Sequence, residues 1–281
     1  MITSGIKVIE EGSSIDIEGL IFLSNGVELI VNESPRSEDF EYLTSFFKPR
    51  KPWRGPSSEE LDILFDAPMQ FDGNSSVYIC RLPEALIDEL SIMGIGDLAN
   101  LQSLTTLISQ RSEEFSKISA YIRNVVNFFL KDNGAFKYRG IYFSPPNLET
   151  TAYDNNKKLL GLHVDSAYTE GIPDNKPDIM RLCINLGKET RYILFINKSI
   201  QHIREMIAEY EMVKELRYSV DDLVAKFFQY YPDYPVVKLR QRPFDFYLMP
   251  ADNIIHDGST EGTHHCDITM VFQGHMNDLI P

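Results

Sequence analysis

Cysteine is scarce in this chain: Cys80, Cys183 and Cys266 are the only three in 281 residues, and no two form a CxxC pair. An odd count without that spacing fits a reducing compartment and excludes a disulfide framework. No run approaches 18 consecutive apolar residues, which excludes a helical membrane span. The opening MITSGIKVIEEGSS has no apolar stretch behind a basic start, so the expectation is a cytoplasmic protein rather than a secreted one. Basic residues are also few: 27 Lys and Arg against 41 Asp and Glu leave a formal charge of −14. Nothing cationic is left over to displace the counterions of a nucleic acid or to hold an anionic bilayer, so neither is an expected partner. The acidic residues are dispersed, and their excess reads as solubility. There is no internal repeat and no low-complexity tract.

What is present is ordinary for a folded domain, with 43% hydrophobic and 24% charged residues and length enough for a sizeable core. Residues 1–32 alternate polar and apolar positions and predict short strands, with an Asn25-Gly26 hairpin signal. Residues 37–47 (SEDFEYLTSFF) predict a short helix. Residues 48–56 form a proline-broken cationic loop that holds the one tryptophan, Trp53, a candidate border of a substrate entrance. A helical turn follows at 57–65, a strand at 77–82 and a helix at 83–93. Apolar steps of three and four then predict a long helix over 98–131, with a possible break near 109–112. The second half is rich in strands: 138–143, 159–164, 179–186, 191–197, 236–240, 244–249, 253–256 and 268–272. Between the fourth and fifth lies a helical insert, 199–231, whose second helix opens on Ser219-x-x-Asp222. Eight short strands with few helices between them predict an antiparallel barrel or double sheet of the jelly-roll or cupin type.

Within that half, residues 159–166 (LLGLHVDS) end an apolar run on His163-x-Asp165, and His256 follows another in DNIIHDGST. Residues two apart on a strand share a face, so His163 and Asp165 can meet one cation, with His256 brought alongside by sheet pairing. Two imidazoles and one carboxylate suit a non-haem ferrous ion that keeps open coordination positions.

With those residues and the strands RLCINLGKETRYILFIN behind them, residues 138–275 resemble the Fe(II)/2-oxoglutarate-dependent oxygenase superfamily. The run TRYILFIN is similar to the corresponding strand of its JmjC and asparaginyl-hydroxylase branch. The resemblance implies an α+β chain: a double-stranded β-helix core (136–281) braced by helices, mostly from the N-terminal half (1–135), in a single domain spanning 1–281. It implies iron held by His163, Asp165 and His256, with 2-oxoglutarate and O2 as cosubstrates. Many members place an arginine about ten residues after the distal histidine to grip the cosubstrate, but residues 257–281 contain neither Arg nor Lys.

The anchor is therefore expected on an earlier strand. Arg181 is favoured, because an arginine in an apolar strand must find an anion, with Asn185 beside it and Arg191 as the alternative. His265 in the Thr263–Cys266 turn is a further candidate. Arg139 and Tyr142, before the HxD, are candidate substrate contacts. A retained Asp165 argues for hydroxylation, desaturation or ring formation over halogenation. The expected substrate is a small polar metabolite, such as an amino acid or a biosynthetic intermediate. Two other classes share these features: a cupin-like iron enzyme that ignores 2-oxoglutarate, and a non-catalytic β-barrel binding module.

Overall fold

The computed structural model describes residues 2–11, 19–31, 41–42, 45–65, 75–127, 137–154, 156–165, 179–214 and 216–275. The first half contributes strands β1 (Lys7–Glu11), β2 (Ile21–Leu23), β3 (Val27–Val31), β4 (Glu41–Tyr42), β5 (Ser45–Pro49) and β6 (Ser76–Arg81). It also contributes helices α1 (Ser58–Leu64), α2 (Glu84–Met93), α3 (Leu101–Gln110) and α4 (Ser112–Asn127). The second half holds β7 (Lys137–Ser144), β8 (Lys158–Leu159), β9 (Ile179–Asn185) and β10 (Arg191–Ser199). Helices α5 (Ile200–Glu211) and α6 (Val220–Tyr230) follow, then β11 (Val237–Gln241), β12 (Asp245–Met249), β13 (Ile254–Ser259) and β14 (Asp267–His275). This is an α+β chain with several antiparallel sheets. No described helix is long and apolar enough to cross a membrane.

The larger sheet has the order β1-β6-β12-β9-β14-β7 and the smaller β13-β10-β11-β2. Strict alternation in the sequence decides which face of the larger sheet is dry. On β9, Met180, Leu182 and Ile184 point one way, and so do Phe246 and Leu248 on β12 and Ile268, Met270 and Phe272 on β14; together they pack against Leu86, Leu90, Leu104 and Ile122 of the first-half helices. The residues between them, Arg181, Cys183, Tyr247, Thr269 and Val271, turn to the other face and line a cavity. Burying one such leucine or phenylalanine is worth about 1.5–3 kcal/mol, so a one-residue slip of β9 would expose its apolar set and is strongly disfavoured. On the smaller sheet, α5 and α6 cover the strands through Ile203, Ile207, Leu223 and Phe227, all fully buried. The α6 start is capped as its sequence predicts, Ser219 accepting from the Asp222 backbone N–H.

Three local expectations are corrected. Residues 41–42 and 45–49 are strands, not helix, because Phe46 and Phe47 pair across to Ile30 and Leu29; positions 37–40 lie outside the described residues. The Asn25-Gly26 turn does not close a hairpin, since β2 pairs with β11 while β3 pairs with β5. By contrast, the break foreseen near 109–112 in the helical stretch 98–131 falls at Arg111, between α3 and α4, and 128–131 lie outside the described residues. The strand expected at 159–164 is only β8; the chain turns at Gly161 (φ +69°), and His163 then meets β13 as an isolated bridge to His256.

Candidate metal centre

His163 and His256 exchange two backbone hydrogen bonds, 3.1 Å from the His163 N–H to the His256 carbonyl and 2.8 Å in return. This pairing brings the HxD segment to β13 without a continuous strand. Each imidazole is then oriented by its own chain. His163 Nδ1 lies 2.8 Å from the Gly161 carbonyl and His256 Nδ1 lies 3.0 Å from the Ile254 carbonyl. A carbonyl only accepts, so both Nδ1 atoms carry a proton, which leaves each Nε2 as the nitrogen that would meet a cation. The two Nε2 atoms lie 3.5 and 3.7 Å from one atom, Asp165 Oδ1. The donor atoms of the three residues all lie within 4.8 Å of one another. Asp165 holds this position from a turn rather than a strand, its N–H 3.4 Å from the Ala251 carbonyl.

The electrostatics suit a cation. Burial lowers the His256 imidazole to about 4, keeping it neutral and able to donate its lone pair. Burial opposes charge on Asp165 too, but His256, His163 and Arg181 outweigh it and hold the carboxyl well below the usual range. His163 is pulled upward by the Asp165 and Asp257 carboxylates despite its burial. Asp257 was not singled out from sequence. It is buried and raised to about 6 by that burial. Its Oδ1 accepts from the backbone N–H groups of Thr151, Ala152 and Gly258, at 3.0, 2.9 and 2.6 Å. It thereby ties the 151–152 loop to the strand that carries His256. The adjacent acid in His256-Asp257 was its only sequence signal.

The three residues open onto a cavity of about 530 Å³. Arg181 lines it, but its Nη2 lies 2.6 Å from Asp165 Oδ2, so its guanidinium is engaged by the triad itself. Arg191 also lines it and is buried, its Nη1 donating to Thr269 Oγ1 at 2.9 Å and its Nε lying 3.3 Å from Asp267. Gly258 makes room for it: a Cβ there would sit 2.3 Å from Arg191 Nη2 and 2.4 Å from Thr151 Oγ1. Tyr247 and Cys183 complete the wall between the two arginines, and burial holds the Tyr247 hydroxyl protonated as a donor. Both follow from the alternation of their strands once Arg181 is known to face inward.

At the rim, Arg139 reaches the cavity through a β-bulge. Gly140 pairs with Val271 and Tyr138 with Phe272, leaving Arg139 as the extra residue beside a glycine at φ +136°. Without the bulge Arg139 would point with Ile141 toward the helices; with it, Arg139 joins Tyr142 and donates from Nε to Gln273 Oε1 at 2.9 Å.

Three candidates lie elsewhere. Asn185 spends its amide on the β9–β10 turn, donating to the Glu189 and Gln241 carbonyls while its Oδ1 accepts from the Gly187 N–H. His265 is exposed and faces Glu189, 3.2 Å away. Trp53 donates to Glu261 at 3.0 Å beneath Lys238, away from the cavity wall.

No family model matches the sequence, and no curated protein does. The fold is similar to solved structures of the Kdo hydroxylase KdoO, described as a non-heme Fe(II) alphaketoglutarate dependent dioxygenase. The apo form and the complex with alphaketoglutarate and Fe(III) each give a TM-score of 0.39 and 15% identity over 73% of this chain and 80% of that chain. The cobalt(II) complex gives the same score and identity over 72% and 80%.

Proposed function

We propose that this chain is a non-haem Fe(II), 2-oxoglutarate-dependent oxygenase that hydroxylates, desaturates or cyclises a small polar metabolite. The observation that carries this reading is the convergence of two imidazole Nε2 atoms and one carboxylate oxygen at the wall of a roomy cavity. An N₂O donor set on one side of an open space fits a ferrous ion with positions to spare. When bound, that ion and its 2-oxoacid would supply the activation of O2 that oxidises a C–H bond.

Strand order supports a double-stranded β-helix. From β7 onward the segments β7, β9, β12 and β14 belong to the larger sheet. The His163 segment, β10, β11 and β13 belong to the smaller one. We read the whole chain as one domain, because β1 and β6 extend the larger sheet and β2 the smaller.

The protein's own share is binding, orientation and exclusion of water. Arg191 is the anchor for the distal carboxylate of 2-oxoglutarate, held in place by Thr269 and Asp267, with Tyr247 beside it in the cavity wall. Arg181, favoured from sequence, is less suited: its Nη2 is closed by the Asp165 carboxylate at 2.6 Å, whereas Arg191 meets Asp267 through Nε at 3.3 Å and keeps its Nη2 beside Gly258. Arg139, aimed inward by the bulge, and Tyr142 contact the substrate. A guanidinium there favours a substrate with an anionic group, such as an amino acid.

Succinate release on addition of Fe(II), O2 and 2-oxoglutarate tests the reading. Iron uptake with no 2-oxoglutarate consumption would favour a cupin-like iron enzyme instead, and failure to bind iron would reject both.

A further inference from the structure

We propose that Arg181 is a positioning residue that confines Asp165 to one metal-binding oxygen and so keeps three coordination positions open. The inference rests on reading His163, Asp165 and His256 as a metal centre. The two oxygens of Asp165 have different company: Oδ1 lies 3.5 and 3.7 Å from the two imidazole Nε2 atoms, whereas Oδ2 lies 2.6 Å from Arg181 Nη2. A carboxylate free on both sides can close on a divalent cation with both oxygens. In an octahedral shell that leaves two positions, one too few for a chelating 2-oxoacid together with O2.

The clamp is built into the sheet. Arg181 stands on β9 between β12 and β14, opposite Met249 and Gln273, so its backbone is fixed on both sides. Its Nε is buried without a hydrogen-bond partner. Asp165 Oδ2 is likewise buried without a hydrogen bond, so the two meet as an ion pair, and that pair, with Asp252 adding to it, compensates the guanidinium in the cavity wall. An arginine whose Nη2 edge is already closed by a protein carboxylate has little left with which to grip a ligand carboxylate. One that orients a metal-binding carboxylate needs this contact.

Counting the waters on a bound Mn(II) ion tests the inference without turnover. Mn(II) prefers the same octahedral oxygen-rich shell, and its water-proton relaxation scales with the number of water ligands. Wild-type protein should show three, Arg181→Lys three, and Arg181→Gln two, with relaxivity falling by about one third at equal bound metal. A two-water count in the wild-type protein overturns the proposal with no variant needed. So does an Arg181→Gln protein, folded by circular dichroism, that keeps three waters or fails to bind Mn(II); the latter would make Arg181 a support for binding rather than a selector of one oxygen. Wild-type protein that takes up neither Fe(II) nor Mn(II) would sink the metal-centre reading itself, and the inference with it.

Discussion

His163 and His256 face each other as a cross-strand pair whose backbones are joined in both directions and whose rings lie 5.0 Å apart. The join is made by N–H and C=O groups, so it does not depend on either imidazole. His163→Ala and His256→Ala are therefore expected to lose metal binding while keeping the fold. Titration with Fe(II) or Co(II), alongside circular dichroism, checks this, and retained stoichiometric metal in either variant would reject the ligand assignment.

Arg191→Ala should raise the concentration of 2-oxoglutarate needed for half-maximal turnover. Loss of a charge-assisted contact is worth about 1.5–3 kcal/mol, roughly 10- to 150-fold. Gly258→Ala should act in the same direction from a distance, because its new methyl would displace the guanidinium it now admits. An unchanged requirement in both would move the anchor away from Arg191.

Arg139→Gln is expected to spare the 2-oxoglutarate requirement and weaken the substrate. It removes charge at the rim without touching the triad. Initial rates varied separately in the two ligands distinguish these effects, and a change confined to 2-oxoglutarate would contradict a substrate role.

Acid should destabilise the fold through Glu261. Burial opposes its charge, but Lys238, Lys51 and Trp53 outweigh that and lower it to about 2. Lys238 is itself pushed down by burial; the acid limb is assigned to Glu261 because three donors converge on it. A depressed folded-state value contributes stability above the unfolded value of about 4.5, and that stability is lost as the pH falls toward 2. Glu261→Gln should flatten this limb in chemical denaturation measured between pH 5 and about 2.5, and an unaltered slope would assign it to other carboxylates.

The sequence carried the triad residues and most strands, because alternation and the HxD spacing are local signals. It misjudged how they are delivered. His163 and Asp165 were expected to share a strand face, yet they come from a turn held by a single bridge, a tertiary arrangement with no periodicity to read. Arg181 was rightly expected to seek an anion. That the anion would be Asp165 depends on where the turn after Gly161 ends. The bulge that re-aims Arg139 was likewise hidden, since one glycine in a strand marks a bulge only when the partner's register is known. Trp53 and His265, chosen for their chemistry, found acidic partners of their own at Glu261 and Glu189.

The bridge at His163 also sets how the smaller sheet ends. Its outermost row is fastened there by two hydrogen bonds, and a cation gripping all three side chains would rivet that margin to its neighbour. By mass action such a rivet adds about 2.7 kcal/mol at a hundredfold excess of free metal over its Kd. Resistance to proteolysis would then rise and fall with the supply of that cation, making the lifetime of the protein a gauge of it.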